Sequence, residues 1–291
     1  MVNEVVVLAP AKVNIGLRVL PARQDGFHNL ESIFQTVSLS DKLTVLKNPA
    51  SKDFECKVSC EQMILPEKNT ITMAYDAFFR ITGCKQFSVK VELEKHIPDG
   101  GGLGGGSSDA ASFLRALECL SGVKLSREQL DAISAKVGSD VFFFTHCSSF
   151  GECCAVVTGR GENVRDIKKR KDLFFVLVFP GVHSSTKEAY SLVDNFLALG
   201  KSIEYPEEQS LEKMYFSPVR TWKFKNTFSE ALRQKYPEIQ MALKKVEETK
   251  PLYFEMSGSG STIYGIYASW EEADRSAKIL NDEGLKCVVT Q

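Results

Sequence analysis

The spacing of apolar and polar positions changes several times along this chain, and each change marks an element. Short runs of β-branched and aromatic residues, broken by Pro, Gly and Asp, predict strands over 5–9, 13–20, 32–38 and 42–47. The segments 54–59 and 87–93 alternate, or nearly so, and read as two more. Between them the period lengthens: Ile71, Ala74, Tyr75, Phe78 and Ile81 share one face of a helix over 70–82. A second helix is expected from about Ser108 to Leu120. A third starts at Ser126, with Gln129 completing a capping box, and stops at Gly138. Further on, a buried strand over 173–179 ends at Pro180-Gly181, and helices follow over 187–199, 227–235 and 238–248. A strand over 262–267 precedes a helix over 271–283, capped by Ser269 with Glu272, and a last strand covers 285–290. The mixture is α+β. The polar, charge-rich stretch 159–171 suggests two domains, 1–158 and 159–291.

Composition narrows the class. The chain has 291 residues, 43% hydrophobic and 25% charged, which is a globular composition with enough length to bury a substantial core. A formal net charge of −1 offers no basic excess for a nucleic-acid backbone. No apolar run approaches the roughly 20 residues that span a bilayer. The N-terminus carries Glu4 and only a short apolar run, Val5–Ala9, so it does not read as a signal peptide. The expectation is a cytoplasmic protein with neither nucleic acid nor membrane as partner, as a monomer or homodimer. The eight cysteines are scattered and are expected to be free thiols. Cys153 and Cys154 beside His146 lack the spacing of a zinc knuckle.

One stretch carries chemistry. From Gly100 to Gly106 six of the seven residues are glycine, Leu103 being the exception, with Pro98-Asp99 before and Ser107-Ser108-Asp109 after. An expected strand precedes the run and an expected helix follows it. Glycine lets successive backbone N–H groups converge on a phosphate with no Cβ in the way. The helix start adds donors and partial positive charge, and Ser107 and Ser108 add hydroxyls. A flexible linker is the alternative, although linkers are not usually pinned between a buried strand and a capped helix. A Walker A loop would need Gly-Lys-Ser/Thr, and no lysine is present. A Rossmann fingerprint can be forced on Gly100, Gly102 and Gly105, but Pro98-Asp99 separate it from the strand. The lysine strand, His-Arg-Asp loop and Asp-Phe-Gly of protein kinases are absent.

With Pro10-Ala11-Lys12-Val13-Asn14 near the start and Met256-Ser257-Gly258-Ser259-Gly260-Ser261 near the end, the Pro98–Asp109 loop makes three motifs in order. In these the chain resembles the GHMP kinases. Leu17, Arg23, Asp25-Gly26-Phe27-His28, Gly138-Ser139-Asp140-Val141 and Pro180-Gly181-Val182 resemble the branch that phosphorylates a cytidine-diphosphate alcohol in non-mevalonate isoprenoid precursor synthesis. The resemblance implies a two-domain fold: an N-terminal domain like domain 2 of ribosomal protein S5, and a ferredoxin-like α/β sandwich at the C-terminus. It also implies ATP, with Mg²⁺ on its phosphates, and transfer of the γ-phosphate to the 2-hydroxyl of a methylerythritol moiety. A homoserine- or mevalonate-type kinase and a non-catalytic nucleotide-binding relative are the rivals.

Carried onto this chain, the resemblance gives ATP to Pro98, Gly100, Gly101, Gly102, Leu103, Gly104, Gly105, Gly106, Ser107 and Ser108. It makes Asp140 the general base, where the residues alone would also allow a loop-capping aspartate. Lys12 becomes its expected partner rather than a solvated surface lysine. Asn14, on the same face of a strand as Lys12, is expected at the substrate. Phe27 and His28 are the nucleobase candidates, with Tyr190 as a second stacking face; a structural histidine and ordinary helix packing are the plainer readings. Ser257 and Gly258 are expected as a backbone wall near the reacting centre, or as a turn. Phe27 stands where tyrosine is more usual, Asp99 is expected to point away from phosphate, and His146–Cys154 lacks an expected double glycine.

Overall fold

A computed structural model describes residues 2–48, 54–146, 151–183 and 185–291. The expected strands over 5–9 and 13–20 are one strand, β1 (Glu4–Ala22), and those over 32–38 and 42–47 are one strand, β2 (His28–Lys47). The apparent breaks have physical causes. Pro10 and Gly16 sit in a stretch buried at every residue from Ala9 to Leu17, so no alternation survives. Asp41, which reads as a turn residue, is fully buried inside β2 and held by an ion pair.

The chain then runs through β3 (Cys56–Cys60), α1 (Thr70–Thr82), β4 (Val89–Glu94), α2 (Gly105–Ser121), α3 (Arg127–Val137) and α4 (Ser139–His146). Next come β5 (Cys154–Gly159), β6 (Asn163–Asp166), β7 (Phe174–Phe179), α5 (Thr186–Ala198) and the short α6 (Leu211–Tyr215). The last elements are α7 (Thr227–Leu232), α8 (Pro237–Glu248), β8 (Tyr253–Met256), β9 (Ile263–Tyr267), α9 (Trp270–Asp282) and β10 (Lys286–Thr290). The capping box at Ser126 forms with Gln129 as expected. At α9, Ser269 accepts the Glu272 N–H, but the Glu272 carboxylate takes the Ala268 N–H instead of closing the box. Pattern reading passed over α4, β5, β6, α6 and β8. The two-faced burial of β5 and the unbroken apolar Val-Phe-Phe-Phe of α4 hide their periods.

Two compact units form, and they interleave along the chain. The first contains Met1–Ala11, Leu39–Asp99 and Gly104–Gly151. In it the C-terminal part of β2 pairs antiparallel with β4, Lys42 opposite Glu94, and β4 pairs parallel with β3. Helix α1 packs on α2 and α3, and α4 on α2 and α3. Phe78, Phe113, Leu117, Val91 and Leu43 are among its fully buried residues. The second unit contains Lys12–Ser38, Gly100–Leu103 and Glu152–Gln291. Its four-stranded antiparallel sheet runs β10-β7-β9-β8. A core of Val176, Val178, Ile239, Val246, Ile263 and Leu280 packs around it. The N-terminal part of β2 pairs with β5, and β5 with β6.

Cys56, Cys60, Cys84, Cys119, Cys154 and Cys287 are free, but Cys153 is disulfide-bonded, against the expectation of free thiols throughout. Cys147 lies outside the described residues. Among the described residues no helix is long and apolar enough to cross a membrane.

Candidate active site

The glycine run alternates left-handed residues: φ is +65° at Gly100, +75° at Gly102 and +70° at Gly104. Its first part belongs to the second unit and is held by its carbonyls. Gly101 O accepts the Thr262 N–H at 3.2 Å, and Leu103 O accepts the Lys12 N–H at 2.9 Å. Gly102 O accepts from Ser257 Oγ at 3.0 Å and from Lys12 Nζ at 3.2 Å. A Cβ at Gly102 would overlap the Ser257 carbonyl oxygen, so this approach needs glycine in addition to its positive φ.

The second part opens α2 in the first unit. Its helix begins at Gly105, three residues before the expected start, because glycine's low helix propensity hides the first turn. Thr70 Oγ1 fixes that turn by donating to Gly106 O at 2.7 Å. No side chain caps the helix and no acidic residue occupies its first turn. The leading N–H groups and their partial positive charge therefore stand ready for an anion. Ser108 Oγ is buried with no hydrogen-bond partner, while Ser107 is half-buried. Pro98 is half-buried and Asp99 is exposed.

Lys12 is not a surface lysine: it is 2% exposed. Its Nζ donates to Asn14 Oδ1 at 2.6 Å and lies 4.6 Å from the Phe34 ring centroid. Asn14 is fully buried; its Nδ2 donates to Ser32 Oγ and its backbone N–H to Ser257 Oγ, each at 3.2 Å. The two-residue spacing puts both side chains on one face of β1. Burial of so polar a pair is tolerated because each partner is hydrogen-bonded. Lys12, Asn14, Gly101–Leu103, Ser257 and Gly258 thus come together within the second unit. Asn226 shapes the serine–glycine turn from behind, donating to Met256 O at 2.7 Å and Gly258 O at 2.9 Å. Burial raises the pKa of Glu255 beside it, although the Met256 and Asn226 N–H groups pull the other way.

His28 is 8% exposed and stacks on Tyr190, centroids 5.0 Å apart and planes at 25°. Its Nδ1 donates to Leu20 O at 2.7 Å, and its Nε2 lies 3.3 Å from Asp194 Oδ1. Tyr190 also packs edge-on against Phe228, so it serves the helix core as well. Phe27 is 49% exposed, and the Arg160 guanidinium lies 3.7 Å over its ring. Asp140 lies in the first turn of α4, half-buried, in the first unit.

Sequence reading missed Asn226, Thr262, Arg160, Asp194 and the Asp41–Lys95–Asp109 cluster. Only Asn226 had a local signal, as the cap before α7; the others are tertiary contacts with no signature in spacing.

Residues 69–148 match the model of the GHMP kinases N-terminal domain, and 211–285 that of the GHMP kinases C-terminal domain. A 4-diphosphocytidyl-2-C-methyl-D-erythritol kinase of Treponema pallidum is 35% identical over 96% of both chains. One of Thermotoga maritima is 39% identical over 88% of this chain and 90% of its own. A crystal structure of 4-(cytidine 5'-diphospho)-2C-methyl-D-erythritol kinase superposes with a TM-score of 0.79 at 29% identity, covering 98% of this chain and 99% of that one. Homoserine kinase from Cytophaga hutchinsonii, at 19% identity and a TM-score of 0.65, shares the fold. The α+β architecture is the two-domain GHMP kinase fold, and the chain belongs to the GHMP kinases and, within them, to the 4-diphosphocytidyl-2-C-methyl-D-erythritol kinase family.

Proposed function

We propose that this protein uses ATP to phosphorylate the 2-hydroxyl of 4-diphosphocytidyl-2-C-methyl-D-erythritol, giving the 2-phosphate and ADP, as a cytoplasmic enzyme of isoprenoid precursor synthesis. The observation that carries the phosphotransfer reading is the uncapped N-terminus of α2 behind a glycine run with alternating positive φ. Near-full-length similarity to kinases named for this alcohol supports the substrate.

In this reading the nucleotide phosphates lie on the N–H groups at the start of α2, with the Ser107 and Ser108 hydroxyls beside them. Residues 1–158 serve ATP and 159–291 complete the alcohol site. Asp140 accepts the proton of the 2-hydroxyl as its oxygen bonds to the γ-phosphorus and the bond to the β-phosphate bridge breaks, with ADP leaving. The Lys12 ammonium stabilises negative charge on the transferring group. Asn14, Ser257 and Gly258 hold the alcohol; Phe27, His28 and Tyr190 hold the pyrimidine through stacking and edge hydrogen bonds. Among the described residues no group of three or more His, Cys, Asp or Glu is set to hold a metal. Mg²⁺ would arrive on the phosphates, because it keeps several waters and needs few protein ligands. The Ser107 and Ser108 hydroxyls would be the oxygens available to it.

The test is identification of the product. Mass spectrometry and phosphorus NMR after incubation with ATP, Mg²⁺ and the cytidine substrate should find one new monoester on the 2-oxygen. A phosphate elsewhere on the substrate, or ATP hydrolysis alone, would contradict the assignment.

A further inference from the structure

Beneath the start of α2 lies a cluster of charges that the reaction above does not use. Lys95 follows the end of β4, Asp41 lies inside β2, and Asp109 occupies the second turn of α2. The Lys95 ammonium bonds Asp41 Oδ2, and it bonds Asp109 Oδ2 at 3.0 Å. All three side chains are buried, at 10%, 0% and 4% exposure respectively. Asp41 has further support: its Oδ1 accepts the N–H groups of His96 at 2.6 Å and Ile97 at 2.8 Å. Asp109 has none, and its Oδ1 is buried with no hydrogen-bond partner. The two acids are therefore unequal. Asp41 is held by two backbone N–H groups as well as by Lys95, whereas Asp109 relies on Lys95 alone for compensation.

The cluster also touches the phosphate end of the helix. A Cβ at Gly105, the first residue of α2, would lie 3.2 Å from Lys95 Nζ and 3.1 Å from Ile97 Cγ2. Glycine there lets the ammonium sit against the first helical turn. A carboxylate so near an anion-binding helix start opposes the anion, because its charge has the same sign and the buried site screens it poorly. Burial pushes Asp109 up to about 7, with Asp41 adding to the rise and Lys95 opposing it. Burial also works against the Lys95 ammonium, but the two carboxylates outweigh it and hold its pKa above an ordinary lysine's.

We propose that Lys95 is a positioning and charge-balancing residue for the nucleotide: it locks the strand before the glycine run to the helix after it, and cancels the Asp109 charge beneath the phosphate-binding turn. The proposal rests on the reading that nucleotide phosphate binds at the start of α2. It places no ligand on Lys95 itself, whose ammonium already donates to two carboxylates. It predicts an asymmetry between partners. Losing the ammonium leaves two buried acids under the phosphates, whereas losing the Asp109 charge leaves Lys95 still paired with Asp41.

The experiment titrates ATP into wild type, Lys95→Met, Asp109→Asn and the double variant by calorimetry at pH 8. Steady-state KM and kcat are measured in parallel, and the thermal unfolding of each variant is recorded. Lys95→Met should weaken ATP binding tenfold or more, chiefly in KM for ATP. Asp109→Asn should bind ATP at least as tightly as wild type. The double variant should recover to within about threefold, because the uncompensated charge is gone. Wild-type ATP affinity in folded Lys95→Met would overturn the proposal, and so would a double variant no better than Lys95→Met. If Lys95→Met does not fold, a tenfold loss of affinity in Asp109→Asn alone would still overturn it. Failure of wild type to bind ATP would strike at the proposed function and is distinguishable from all of these.

Discussion

The two parts of the glycine run use their backbones in opposite ways. In Gly100–Leu103 the carbonyls are committed: Thr262, Ser257 and Lys12 donate to the oxygens of Gly101, Gly102 and Leu103. In Gly104–Ser108 it is the donors that matter, at a helix start with no side-chain cap and no acidic residue in its first turn. The first part is fixed by what it accepts and the second is defined by what it offers. One glycine-rich sequence thus contains an anchor and a candidate anion site. Substitution should affect stability in the first and nucleotide or turnover in the second.

The largest effect expected is on chemistry. Asp140→Asn should lower kcat by about 10³-fold, within the range typical of a lost general base, and leave ATP affinity within a few-fold. A near-wild-type rate would remove Asp140 from catalysis. Next comes the anchor. Gly102→Ala should cost about 3 kcal/mol or more in denaturant unfolding, since it combines a left-handed non-glycine residue with overpacking against Ser257. Gly83→Ala, at φ +63° with nothing within 4 Å of its would-be Cβ, should cost only about 1–2 kcal/mol. Equal losses at the two sites would mean that the close approach at Gly102 carries no weight.

A smaller effect is expected at the pyrimidine candidates. Phe27→Ala should raise KM for the cytidine substrate about tenfold, consistent with loss of one stacked aromatic face, while KM for ATP holds. An unchanged substrate KM would remove Phe27 from the site. The smallest effect concerns pH. Burial pushes the Asp109 carboxyl up to about 7 in the fold, from an ordinary carboxylate value of 3.8. The folded state therefore holds this proton more tightly than the unfolded chain. Its contribution to stability is complete below about 3.8, declines as pH rises, and is gone above about 7. Asp109→Asn should flatten the fall in stability between pH 5 and pH 8, read from denaturant midpoints; an unchanged slope would contradict the shift.

Much of this was legible in the sequence, and the rest was hidden for identifiable reasons. The periodicity of Ile71, Ala74, Tyr75 and Phe78 gave α1 to the residue, because that helix has one apolar and one wet face. The same logic failed at β1, where Ala9–Leu17 is buried throughout, and at α4, where 141–144 is an unbroken apolar run with no helical period. The three glycine- and lysine-containing motifs could be found by order alone. Their meeting in space could not: Asn14 and Ser257 are 243 residues apart and share a hydrogen bond. Lys95 and Asp109 looked like ordinary charges beside a loop, since only burial makes a lysine with two acids informative.

The central claim is the alcohol that this kinase accepts. A coupled ADP-release assay with purified protein, ATP and Mg²⁺ should compare the cytidine-diphospho-methylerythritol substrate with homoserine, mevalonate and galactose. Turnover with the cytidine substrate alone is the expected result. Turnover with another of these alcohols, or none with any despite measurable ATP binding, would contradict it.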